Sequence, residues 1–192
     1  MRGGLVLALG LAVVLVCPAT PAAQQARPPK LIAQCDQCHG KNGNSRLESM
    51  PSLAGQPAFF ILNQLILMRE GVRPVEAMSA IVAGLDDREI AALAEHYAGL
   101  PPMRSGEPAD PALARRGAAL SRRLHCESCH LPSLAGQDQM PRIAGQRIDY
   151  LTAALKAFRD NTRRGADTLM SAAVHGLSDA DLTALAHYAA SK

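Results

Sequence analysis

The chain has 192 residues, 48% of them hydrophobic, with 20 basic and 17 acidic side chains and no tryptophan. A net charge of +3 at neutral pH is too small to point to a nucleic-acid partner or to a charged interaction tail. The length allows two small domains or one ordinary one.

Residues 1–23 read as a secretory signal: Arg2, then an apolar run from Leu5 to Val16, then small residues from Pro18 to Ala23. The run of 12 residues is short for a membrane span. An uncleaved anchor is the rival reading. Cys17 lacks the small residue expected just ahead of a lipidated cysteine. No later stretch is long and apolar enough to cross a bilayer. The export signal makes the periplasm the expected location.

Next comes Cys35-Asp36-Gln37-Cys38-His39, and the pattern returns as Cys126-Glu127-Ser128-Cys129-His130. Cys-x-x-Cys-His is the attachment signature of c-type haem. Two thiols at this spacing can form thioethers to the two vinyl groups of one haem, and the adjacent histidine can reach its iron. A zinc site would use the four cysteines and leave both histidines unexplained. A thioredoxin-like pair belongs at a strand-to-helix junction, and strand patterning is scarce here. A disulfide framework needs neither His39 nor His130. With Cys17 removed, two haems consume every remaining cysteine.

The motifs sit inside a longer repeat. His39 and His130 are 91 positions apart, and Met50–Gln56 matches Met140–Gln146 at an offset of 90. Met78-Ser79-Ala80 matches Met170-Ser171-Ala172 at 92, and His96-Tyr97-Ala98 matches His187-Tyr188-Ala189 at 91. Such self-similarity predicts a duplicated domain: residues 24–100 and 112–192, joined by a linker over 101–111. The stretch from Gly99 to Pro111 holds four prolines and two glycines, a composition with some stiffness. Domains of this size bury little core unaided, and a covalent haem supplies an apolar centre to each.

Within each copy the pattern is helical. Pro28 and Pro29 restrict the first entry helix to about two turns. Pro57 opens a helix over Ala58 to Glu70 that Gly71 stops; its partner is Ile148 to Arg159. Asp86 with Glu89, and Ser178 with Asp181, mark the start of a last helix in each copy. Ala112 to Leu124 leads into the second motif. No segment reads as a strand, so the expected fold class is all-α.

The residue opposite the motif histidine separates an electron carrier from a catalyst or gas binder. Candidates must occur in both copies. Met78 and Met170 lie 39 and 40 residues after their histidines, far enough for the chain to return on the other haem face. Met50 and Met140 are too near. His96 and His187 are the alternative pair, on a helix expected to pack against the entry helix. Met78 and Met170 are therefore the expected iron ligands, beside His39 and His130, and methionine ligation marks a high-potential centre. A backbone carbonyl at Pro51 or Pro141 could accept the other ring N–H of each histidine. His125 and His175 have no repeat partner and read as surface residues.

The two motifs, the Pro-x-Leu/Ile-Ala-Gly-Gln strings from Pro51 and Pro141, the Met-x6-Leu strings from Met78 and Met170, and the closing His-Tyr helices together resemble the cytochrome c4 family. The resemblance covers about residues 31–190. It implies two tandem class I cytochrome c domains, His/Met ligation at both irons, haems close across the domain interface, and electron transfer to or from a respiratory complex. The implied partners are redox proteins of the respiratory chain, a membrane-bound oxidase or a quinol-oxidising complex among them, with peripheral membrane association. Two departures stand out: the proline-rich first entry helix, and Leu131 where Gly40 follows the first histidine.

Residues 24–103 carry 7 basic and 8 acidic side chains, and residues 104–192 carry 12 and 9. The unequal halves are expected to face different partners by electrostatic steering. The leading reading is a soluble electron carrier that transforms no substrate. An enzyme such as a dihaem peroxidase would need an open iron with acid–base groups beside it. A docked subunit of a dehydrogenase or oxidase is chemically the same as the carrier.

Overall fold

The computed structural model describes Met1 and residues 29–165 and 168–192. The expected export segment beyond Met1, Cys17 and Pro28 lies outside the described residues. Those residues form helices and turns, with no strand among them beyond a single bridge between Gln137 and Met140. No helix among them is long and apolar enough to cross a membrane.

The first half runs α1 (Pro29–His39), a 3-10 turn (Lys41–Gly43), α2 (Ala58–Arg69), α3 (Glu76–Val82) and α4 (Asp87–Ala98). The second runs α5 (Pro111–Arg123), α6 (Glu127–His130), α7 (Ile148–Arg159), α8 (Thr168–Val174) and α9 (Asp179–Ala190). Pro29 stands in the first turn of α1, where its missing N–H costs nothing. The helix makes about two turns ahead of Cys35, as expected, and then continues unbroken through the Cys35–His39 motif. In the second half α5 stops at Arg123, His125 turns the chain at φ 55°, and α6 carries the rest of the motif.

The predicted caps are present. Asp86 Oδ1 accepts from Glu89 N at 2.8 Å and Glu89 Oε2 accepts from Asp86 N at 3.0 Å. Ser178 and Asp181 make the same reciprocal pair. Asp110 caps α5, accepting from the N–H groups of Ala112 and Leu113. Each satisfies donors that a helix start leaves open.

One apolar core fills the first half: Ile61, Leu65 and Met68 of α2, Val82, Leu85, and Ile90, Leu93 and Tyr97 of α4, with Leu31 and Ile32 of α1 against it. In the second half α5 crosses α9 at Gly117, where a β-carbon would stand 2.6 Å from Ala184 C. Leu120, Ala184 and Leu185 pack at this crossing, and Leu134, Ala144, Leu151 and Ala186 form a second cluster.

The linker is laced to both halves rather than hung between them. Asn44 takes Met103 N–H and donates to Pro101 O. Ser105 N donates to Gly145 O, and Ser105 O accepts from Arg46. Glu107 accepts from Arg147 and from Ile148 N. Arg147 also pairs with Asp149 at 2.7 Å, and Asp149 accepts Ser49 N–H from the first half.

Candidate haem-iron centres

Each motif histidine is buried and fixed. His39 Nδ1 lies 2.8 Å from Pro51 O, and His130 Nδ1 lies 2.8 Å from Pro141 O. A prolyl carbonyl can only accept, so Nδ1 carries the proton and Nε2 keeps its lone pair. Burial pushes both rings below the ordinary histidine pKa, which keeps them neutral, the form that binds a metal. The predicted carbonyl partners are thus in place in both halves.

The cysteines stand one helical turn apart. Cys35 and Cys126 are half-buried, Cys38 and Cys129 are exposed, and all four thiols are free. Desolvation pushes the Cys35 and Cys126 thiols up. Tyr97 Oη donates to Asp36 Oδ1 at 2.9 Å, and Tyr188 Oη donates to Glu127 Oε1 at 3.2 Å. The closing helix of each half therefore anchors the residue that follows the first motif cysteine.

Met78 and Met170 hold equivalent places, each the third residue of a seven-residue helix, α3 and α8. Met78 is half-buried and packs against the first core together with Cys35. His187 is occupied elsewhere: its Nδ1 accepts Asp110 N–H at 3.0 Å, tying the start of α5 to α9. That bond makes His187 a brace between helices. His125 and His175 are exposed, as expected.

Gly40 and Leu131, which follow the two histidines, share a left-handed backbone, φ 79° and 68°. At Gly40 a β-carbon would meet Asn44 C at 2.7 Å. Leu131 takes the same path with ψ 159°, a region nearly reserved for glycine that costs about 1–3 kcal/mol. The departure in sequence leaves the turn after the histidine unchanged in shape.

The residues present fit a covalent haem. Four free thiols, two buried neutral imidazoles and paired methionines supply the donor set. Arg142 also points to a missing acid: its Nε is buried with no partner among the described residues, and desolvation pulls its pKa down. A haem propionate is a carboxylate of the kind such a group requires.

Four interface residues were not legible as a site. Gln56 and Gln146 are 5% and 4% exposed and reach across between the halves. Gln146 takes Ser52 N–H at 2.8 Å and donates to Ser52 O at 2.9 Å. Gln56 takes Arg142 N–H at 3.0 Å and donates to Arg142 O at 2.8 Å. The repeat strings contain both glutamines, but only the folded arrangement shows that each serves the opposite half.

Residues 114–191 match the family model described as Cytochrome c. Cytochrome c4 of Pseudomonas aeruginosa is 33% identical, the alignment covering 96% of this chain and 94% of that protein. A protein described as thiosulfate dehydrogenase electron acceptor, from Thiomonas intermedia, is also 33% identical over 91% of this chain and 85% of its own. The crystal structure of reduced recombinant cytochrome c4 from Pseudomonas stutzeri superimposes with a TM-score of 0.77 and 31% identity, covering 82% of this chain and 93% of that one.

Proposed function

The chain belongs to the cytochrome c4 family, and from that premise we propose that it is an exported electron carrier serving respiratory partners through two His/Met-ligated centres. It is a dihaem c-type cytochrome of the class I fold, and no substrate turnover is expected of it. Each haem c, when bound, supplies a one-electron couple at its iron. Cys35 and Cys38 would hold one, and Cys126 and Cys129 the other, as thioethers. His39 and Met78 would supply the iron donors of the first centre, and His130 and Met170 those of the second. Residues 24–100 and 112–192 are the two domains, with 101–111 as a strap between them.

The observation that carries this reading is the repeated histidine geometry: a buried neutral ring, its Nδ1–H committed to a prolyl carbonyl and its Nε2 free to donate. A rigid second bond of this kind orients the ring and raises its basicity. Apolar cores are built around α2 and α4 in the first half, and around α7 and α9 in the second. Export rests on residues 1–23 and places the protein in the periplasm, where redox proteins such as a membrane-bound oxidase or a quinol-oxidising complex are its partners.

The ligand assignment is tested by substitution. Met78→Ala and Met170→Ala each open one iron to carbon monoxide in the reduced, haem-loaded protein, whereas His187→Phe opens none. Binding of carbon monoxide by the unsubstituted protein, or by the His187 variant alone, would overturn the assignment and favour the peroxidase-like alternative.

The relative described as a thiosulfate dehydrogenase electron acceptor favours one second reading, in which the chain docks on a dehydrogenase as its acceptor. Sedimentation of native extract separates the two: a carrier runs as a free chain, and a docked subunit co-migrates with a larger protein.

A further inference from the structure

The peptide between Pro51 and Ser52 is held at both ends. Its carbonyl accepts His39 Nδ1–H at 2.8 Å, and its N–H donates to Gln146 Oε1 at 2.8 Å. The peptide between Pro141 and Arg142 is held in the same way. Its carbonyl accepts His130 Nδ1–H at 2.8 Å, and its N–H donates to Gln56 Oε1 at 3.0 Å. In both cases the glutamine comes from the opposite half. Gln146 Oε1 also accepts Arg147 N–H, while Nε2 of each glutamine donates to a carbonyl. The two amides are therefore locked in the orientation that offers oxygen to the peptide.

We propose that Gln56 and Gln146 are cross-domain tuning residues, each setting the donor strength of the iron-binding histidine in the opposite half. An amide whose N–H is engaged has a more polarised carbonyl and accepts a stronger bond, by roughly 10–30% for each link in such a chain. A stronger bond from Nδ1–H makes the imidazole a better donor at Nε2, which favours oxidised iron. Seating of the two halves is thus coupled to both redox potentials. A partner that loosens the interface raises both.

The proposal rests on His39 and His130 being iron ligands. Its test uses the haem-loaded full chain with Gln146→Met or Gln56→Met, substitutions that keep side-chain volume and delete the amide. Haem-methyl proton resonances, followed through a redox titration and assigned through contacts to Cys35 or Cys126, report each centre separately. Gln146→Met raises the reduced fraction of the first centre, its reduced-to-oxidised ratio increasing about threefold at fixed poise, and leaves the second unmoved. At 59 mV per decade that is about 28 mV. Gln56→Met does the same to the second centre only. Shifts confined to the glutamine's own half, equal shifts in both, or none would overturn the proposal.

A variant that does not load haem leaves the unsubstituted ferrous protein as the test. There the Ser52 and Arg142 amides exchange slowly with solvent, together with the histidine Nδ1–H protons. Fast exchange of those amides would remove the bonds on which the coupling depends. Failure of the ligand assignment is distinguishable, because it appears as carbon monoxide binding in the unsubstituted protein whatever the glutamine variants do.

Discussion

Gly117→Ala tests the packing that seats the second centre. Helix propensity alone favours alanine by about 1 kcal/mol, and Gly117 has an ordinary helical backbone that gives no reason against it. The crossing with α9 decides otherwise. A β-carbon at 117 would collide with the Ala184 carbonyl oxygen, stand 2.6 Å from Ala184 C and 2.7 Å from Tyr188 Cβ. Two of these obstacles are main-chain atoms and cannot rotate away, so α5 and α9 must part. Overpacking of this kind costs about 1–3 kcal/mol, and the loss of contact around Leu120, Ala184 and Leu185 places it at the upper end. Set against the propensity gain, the net loss is about 1–2 kcal/mol. Thermal unfolding of the haem-loaded protein, followed by far-UV circular dichroism and by haem absorbance, reads it as a fall of about 4–8 °C per kcal/mol in the second-half transition. The first-half transition stays in place. A second-half transition that is unchanged or raised would refute the argument.

Three further outcomes follow from the hydrogen bonds. Asp149 loses proton affinity in the folded protein: burial raises its pKa, but Arg147 and the Ser49 and Tyr150 N–H groups outweigh burial and bring it below the ordinary value. Its contribution is therefore fully present above about pH 4 and is lost as pH falls through the depressed value. Asp149→Asn should remove that acid-side component and cost about 1 kcal/mol at neutral pH, measured as urea stability against pH. Asp86→Ala should cost about 1 kcal/mol through loss of the capping box on α4, and a midpoint unchanged in urea would show the cap to be idle. Tyr97→Phe removes the bond to Asp36 and should cost about 1.5 kcal/mol in the first half only, read by the same titration.

The larger helices were legible because period and punctuation agree in them. Ile148–Arg159 was placed to the residue, α2 to within one, and both last-helix starts carried an acid or serine at the N-cap and a carboxylate three residues on. The cysteines and histidines of each motif were legible because one haem dictates their spacing, and each prolyl carbonyl because the histidine ring needs an acceptor at Nδ1–H. The short helices α3 and α8 were not, since seven residues carry too few turns to show a period. The lacing of the linker escaped for a different reason. Prolines announced stiffness, but the partners of Ser105 and Glu107 lie 40 or more residues away along the chain. The reciprocal reach of Gln56 and Gln146 is likewise a property of two halves docked face to face. A single copy of the repeat contains the glutamine without its acceptor.

The central claim, two His/Met centres in one electron-carrying chain, is tested most directly by optical spectra of the purified, haem-loaded protein combined with a pyridine haemochrome assay. The account predicts two haems per chain and, in the ferric state, a weak far-red methionine-to-iron band of the strength expected for both. One haem per chain, or a high-spin ferric spectrum at either centre, would contradict it.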